Sequence, residues 1–348
     1  MKQKSSLIGG IFLVLMAVAA YFGYDYYVDN YSSNTNTVAN KYLYIKKNTS
    51  YDSLVAQLKS QNLLIDEATF REVAHEEGYD RSPVRAGRFE IAGGMGNKSL
   101  VRLLKVGKQS PARVSFHNKR TMAEVAGYLG RVLQPDSLAF LATFTDAPYL
   151  KTKGYTTETV MTAFMANTYE IFWTSEPADV LARMIKEHDK FWNADRLAQV
   201  KALGLTPVQA YTLASIVEKE TLADVEKQRI AGVYWNRLQR GMKLEADPTV
   251  VFATGQFDLR RILKEHLAVD SPYNTYMYTG LPPGPIYMPS PKTIDYTLNL
   301  EKHNYIFFCA APDNSGTHRF AETLAQHNGN ANEYHKWLNT QGRLANQK

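Results

Sequence analysis

A chain of 348 residues, 45% hydrophobic and 21% charged, has the composition of a globular protein, with length enough for two domains and a targeting segment. Its single cysteine, Cys309, excludes an intramolecular disulfide scaffold. The net charge of +6 would suit a polyanion, but Lys and Arg are scattered and the body is expected to be exported, so nucleic acid is not an expected partner.

From Ser5 to Val28 no charge appears before Asp25, which is about the roughly 20 residues needed to cross the hydrocarbon layer. Lys2 and Lys4 precede the segment and predict a cytoplasmic N-terminus. Residues 1–28 therefore read as a short tail and a transmembrane anchor. Ala17-Val18-Ala19 resembles a signal-peptidase site, so cleavage is the competing reading. Tyr21, Phe22, Tyr24, Tyr26 and Tyr27 extend the segment as an interfacial aromatic belt, which favours retention. Residues 29–40, rich in Asn, Ser and Thr, read as a polar tether.

The next stretch predicts a small unit. Tyr42 to Ile45 suggests a strand, Ser53–Gln61 and Thr69–Glu77 two helices, Phe89-Glu90-Ile91 a second strand, and Ser99–Val106 a further helix. Val114-Ser115-Phe116 starts another strand, followed by a helix over Thr121–Leu133. Asp136–Phe191 is mostly helical in pattern, interrupted at Phe164-Met165-Ala166-Asn167-Thr168-Tyr169.

The segment after Thr206 carries the strongest chemical signal. Thr206 with Gln209 makes a capping-box pattern and Pro207 suits the first turn. At about 100° per residue, Leu213, Ile216, Val217 and Glu220 share one face, while Glu218 and Lys219 point toward the expected wet side. An acid continuing an apolar stripe has its charged form disfavoured, which lifts its pKa toward the range of a general acid. Outward snorkelling or pairing with a cation is the structural alternative. A second helix runs through Val233, Asn236 and Leu238 to Gly241. Asp247-Pro248 reads as an N-cap and N1 pair opening a short helix toward Gly255, so Asp247 has a structural reading beside any role in a site. Tyr305–Ala310 reads as a buried strand in which Cys309 is inert packing.

The run Ala214-Ser215-Ile216-Val217-Glu218-Lys219-Glu220-Thr221 resembles the signature of the YceG-like endolytic murein transglycosylases. Asn236-Arg237-Leu238, Gly241-Met242, Asp247-Pro248-Thr249-Val250, Tyr273-Asn274-Thr275-Tyr276 and Gly280-Leu281-Pro282-Pro283-Gly284-Pro285-Ile286 agree in order. The resemblance implies an α+β fold: the anchor, a LysM-like βααβ domain over 41–110, and a YceG-like catalytic domain over 111–348 with its core at 206–338. The LysM-like unit implies glycan contact, with a mere spacer as the alternative. Where the family has a Phe-Pro-Asp-Thr-like segment, this chain has Ala166 and Asn167 in place of Pro and Asp. An amide at 167 still bonds sugar hydroxyls.

The implied catalytic residue is Glu220. It would protonate the bond oxygen between MurNAc and GlcNAc, then take the C6 hydroxyl proton as that oxygen attacks C1, leaving a 1,6-anhydroMurNAc end. The implied substrate-binding residues are Asn167, Tyr169, Asn236, Thr249, Tyr273, Asn274, Thr275, Tyr276 and His318. Taken singly, the Tyr, Asn-Thr and Pro-Gly features have packing, turn and connector readings. No metal or cofactor is expected, since His303, His318, His327 and His335 lack metal-motif spacing. Expected partners are peptidoglycan glycan strands, the cytoplasmic (inner) membrane and, by resemblance alone, glycan polymerases and penicillin-binding proteins. Rival readings are a hydrolytic muramidase pairing Glu220 with Asp247 and a catalytically silent glycan-binding scaffold.

Overall fold

The computed structural model describes residues 2–36, 41–259 and 261–341. The chain divides into two compact units. One holds the described residues of Met1–Arg113 with Val132–Gln134 and Glu170–Ser175; the other holds those of Val114–Arg131, Pro135–Tyr169 and Glu176–Lys348.

The first unit contains α1 (Lys2–Tyr31), β1 (Lys41–Ile45), α2 (Tyr51–Ser60), α3 (Glu67–Glu76), β2 (Gly87–Ile91) and α4 (Asn97–Val106). The 22-residue stretch Gly10–Tyr31 of α1 is long and apolar enough to cross a membrane. Strands β1 and β2 pair antiparallel with Leu43 opposite Phe89, giving a β-α-α-β order followed by α4. Leu43, Leu54, Leu58, Phe70, Phe89, Leu100 and Leu104 are fully buried between these elements. The helices begin where the sequence supplies caps: Ser50 accepts from Ser53 N, and Asp66 from Ala68 N and Thr69 N.

The segment expected as a polar tether behaves differently over its described part, and residues 37–40 lie outside the described residues. Helix α1 runs on to Tyr31, and Asn30, Asn34 and Thr35 are buried. Asn34 donates to Asn97 Oδ1 (2.5 Å) and to Asp66 O (2.7 Å), and Asn97 Nδ2 donates to Asp29 O (2.8 Å). The polar composition that suggested a free linker here supplies a buried amide network.

After α4 the chain forms β3 (Ala112–Ser115), α5 (Met122–Val132), α6 (Ser137–Thr145), α7 (Ala147–Thr152), a 3₁₀ turn (Val160–Ala163), β4 (Thr168–Ile171), α8 (Pro177–Phe191) and α9 (Ala194–Ala202). Then come α10 (Pro207–Glu220), α11 (Asp224–Gln239), α12 (Asp247–Thr254), α13 (Lys264–Leu267), α14 (Pro291–Leu298), β5 (Phe307–Ala310), β6 (His318–Ala321) and α15 (Leu324–Thr340). The protein is mixed α+β, as expected.

Helix α10 is the centre of the second unit. Its Thr206–Gln209 capping box forms in both directions, at 3.2 and 2.8 Å. Leu213, Ile216 and Val217 pack on Ile230, Tyr234 and Ile286. Ala210, Tyr211 and Ala214 pack on Trp192, Ile294 and Leu298 on another side. The helix is therefore enclosed nearly all round, not amphipathic as its periodicity suggested. Small residues such as Ala210, Ala214 and Ser215 add little to an apolar stripe, yet they let neighbouring helices close in. Cys309 lies in β5, which pairs antiparallel with β6, and it is half-buried; partial burial pushes its thiol pKa up.

Candidate active site

Helix α10 ends at Glu220, where Thr221 turns to an extended conformation. The carboxyl group lines a cleft of ≈ 1150 Å³ together with Lys219, Asp247, Phe252, Arg120 and Arg261. The residue is only partly covered, but its Oε2 is buried with no hydrogen-bond partner among the described residues. Burial drives its pKa up to about 7. Interaction with the Tyr234 hydroxyl opposes that shift, the charge of nearby Asp247 adds to it, and Arg237 opposes it. Near neutral pH the group is thus poised to give a proton and to take one back.

Asp247 is the first residue of α12, and Ala246 holds the cap position. Its side chain does not cap the helix as expected. Oδ1 instead accepts a 2.7 Å hydrogen bond from the Tyr276 hydroxyl, and the residue faces the cleft. Thr249 and Thr275 set this placement: their hydroxyls lie 2.8 Å apart, and Thr275 accepts from Ala246 N (3.0 Å). Arg237 pins the preceding loop by donating to Leu244 O (2.9 Å), Lys243 O (3.1 Å) and Glu245 Oε2 (3.0 Å).

The Gly280–Pro285 run closely approaches the backbone of Glu158. A Cβ on Gly284 would stand 2.0 Å from Glu158 O, so only glycine fits there. Ser215, buried in α10, accepts from Ile286 N (3.1 Å) and so fixes the cleft-lining Ile286 against the helix that carries Glu220.

Glu218 is not on a wet face. Its Oε2 accepts from Ser290 Oγ (3.1 Å) and Oε1 pairs with the buried Lys227 Nζ (3.4 Å), which also donates to Thr293 Oγ1 (3.0 Å). That network joins α10, α11 and α14. Lys219, by contrast, reaches the cleft, and burial followed by the charge of Arg120 pulls its pKa down.

Most other residues proposed from sequence have their polar atoms engaged internally. Asn236 donates to His303 O (2.8 Å) and Tyr305 O (3.0 Å), and Asn274 to Leu267 O (3.0 Å) and Val269 O (2.8 Å). His318 pairs with Glu226 through Nδ1 at 2.9 Å. Tyr169 is buried and donates to Met165 O (3.0 Å). Asn167 is exposed, and its Oδ1 accepts from Thr168 N (2.7 Å). The Tyr273 ring packs at a tilt, 4.7 Å from that of Phe252, supporting the cleft wall, and burial pushes its hydroxyl pKa up to about 12. Tyr276 reaches the acidic end through Asp247.

Tyr234, Arg120 and Arg261 escaped notice in the sequence. Tyr234 carried a usable signal: with Ile230 and Leu238 it makes an i, i+4 stripe, and a hydroxyl buried on such a stripe needs a partner. The arginines carried none.

The YceG-like family profile matches residues 43–333. The chain belongs to the YceG-like family. Among YceG-like relatives, the endolytic murein transglycosylase of Bacillus subtilis (strain 168) is 34% identical over 156 residues, covering 45% of this chain and 42% of its own. The endolytic murein transglycosylase of Streptococcus pneumoniae (strain D39) is 26% identical across 93% of this chain and 64% of its own. This YceG-like chain thus spans less than two thirds of either relative's length. The crystal structure of a YceG-like protein from Listeria monocytogenes superposes with a TM-score of 0.56 at 26% identity, over 83% of this chain and 98% of that one.

Proposed function

We propose that this YceG-like chain is an endolytic peptidoglycan lytic transglycosylase, anchored in the cytoplasmic membrane by α1 with its N-terminus inside and its body exported. The observation that carries the reading is Glu220, a carboxyl whose pKa burial raises to about 7, in the wall of a cleft of ≈ 1150 Å³. The names of the Bacillus and Streptococcus relatives support it.

A glycosidic bond breaks when its leaving oxygen is protonated as positive charge builds on C1. Protonated Glu220 supplies that proton to the MurNAc–GlcNAc bond oxygen. The carboxylate left behind takes the C6 hydroxyl proton while that oxygen closes on C1, giving the 1,6-anhydro ring and restoring the acid. No water is activated, so a single carboxyl with a pKa near the working pH suffices. Tyr234 steadies the ionised form between the two steps. Phe252 presents an apolar wall to the sugar rings with Tyr273 packed against it, and Asp247, held by Tyr276, a polar one; the other residues inferred from sequence act by holding these walls.

The β-α-α-β unit is read as LysM-like and as a second grip on the glycan. Such a membrane-held endolytic enzyme would cut nascent strands near their synthesis, with glycan polymerases and penicillin-binding proteins as natural neighbours. The facing Asp247 favours one other reading, a muramidase in which it activates water. Digesting uncrosslinked glycan with the full chain and weighing the products separates them. Internal fragments with anhydro ends support the transglycosylase, reducing ends the muramidase, and binding without cleavage a silent scaffold.

A further inference from the structure

We infer that the groove at the base of α1 binds the anionic headgroups of lipids in the leaflet facing the exported body; this rests on the reading of α1 as an anchor. The groove, ≈ 520 Å³, is lined by Tyr31, Glu77, Lys98, Arg102, Lys105 and Val106. Tyr31 is also the last residue of the stretch long enough to span the bilayer. Tyr31 lies seven positions beyond Tyr24, about 10 Å of helix, so the groove opens at headgroup level.

The position is fixed by bonding. Asn97 begins α4 and donates to Asp29 O of α1 (2.8 Å), and Asn34 links the two through Asn97 Oδ1 (2.5 Å). Helix α4 then places Lys98, Arg102 and Lys105 at i, i+4 and i+7 on one side, opposite the buried Leu100 and Leu104.

The charges are not balanced within the protein. Lys98 pairs with Glu77 (3.4 Å) and lies 5.9 and 5.8 Å from the Tyr26 and Tyr31 rings. Lys105 donates to the Glu77 carbonyl, which leaves its charge uncompensated. Arg102 is exposed and, like Lys105, has no salt bridge among the described residues. Two net positive charges therefore stand beside an aromatic belt, with the exposed Val106 at the rim. Phosphate at the headgroup level satisfies the cations, and the tyrosines suit the interface.

The test reconstitutes the full chain in phosphatidylcholine vesicles doped with spin-labelled phosphatidylglycerol or spin-labelled phosphatidylcholine, and reads the motionally restricted lipid. Preference for phosphatidylglycerol is expected at roughly fivefold per uncompensated cation at low salt. Arg102→Gln/Lys105→Gln should lose most of it, whereas charge-preserving Arg102→Lys and a Lys2→Gln/Lys4→Gln variant should keep it. Equal preference in the parent and the Arg102→Gln/Lys105→Gln variant overturns the proposal. Flotation after an alkaline wash reports the anchor separately, and a chain that fails to float overturns both.

Discussion

The hydroxyl of Tyr234 interacts with the carboxyl of Glu220, and it acts against the burial that raises the acid's pKa. A donor to a carboxylate favours the ionised form. In Tyr234→Phe that support is lost, and the pKa of Glu220 should climb by about one unit or more, since hydrogen bonds to charged groups contribute roughly 1.5–3 kcal/mol. Glycan cleavage should then persist to higher pH, with a lower maximum because a weaker acid gives its proton to the leaving oxygen less readily. A pH–rate profile with an unmoved basic limb would contradict this.

Asp247 works in the opposite sense. Its charge raises the pKa of Glu220, so Asp247→Asn should bring the basic limb to lower pH. Anhydro ends should remain the product. Loss of all cleavage together with reducing ends from the parent would give Asp247 the role of a water-activating base.

Glu220 also links stability to pH. Its carboxyl pKa is raised to about 7 in the folded chain from an ordinary value of 4.5. The folded state therefore holds the proton more tightly than the unfolded state. The stability this gives is fully present below the unfolded value and is lost as pH rises through the folded one. At full ionisation the difference is about 3 kcal/mol. Glu220→Gln should therefore stabilise the protein at pH 9 and far less at pH 5. Thermal unfolding at both values checks it, and an equal gain at the two would rule out a raised pKa.

What was legible in the sequence followed from local rules. The 100° periodicity put Glu220 on the face of Leu213, Ile216 and Val217, and the capping box formed as written because both partners lie within one turn. What escaped depended on long separation. Glu218 meets Ser290 from 72 positions away, so no local pattern could remove it from the wet side. Asn274 suits sugar recognition by its chemistry and His318 by resemblance, and neither signal names the partner a polar side chain takes; here Asn274 donates to backbone carbonyls and His318 pairs with Glu226. Asn34 misled for the same reason.

The Asn34–Asn97 contact should be costly to break. Asn97 is buried, and its amide satisfies Asp29 O, Thr69 Oγ1 (3.1 Å) and Asn34 at once. Asn97→Ala should destabilise the first unit by about 2–3 kcal/mol through the groups left unpaired. Hydrogen exchange of amides 29–36 should quicken, while cleavage by the second unit persists. Unchanged exchange there would show that the network does not hold the segment.

The most direct measurement compares the full chain in detergent with its Glu220→Gln variant on purified uncrosslinked glycan, with products read by mass. General acid–base catalysis typically contributes about 10²–10⁴-fold. Anhydro-ended fragments from the parent, reduced by at least the lower of those factors in the variant, are the expected result. Equal cleavage by parent and variant would show that Glu220 is not the acid.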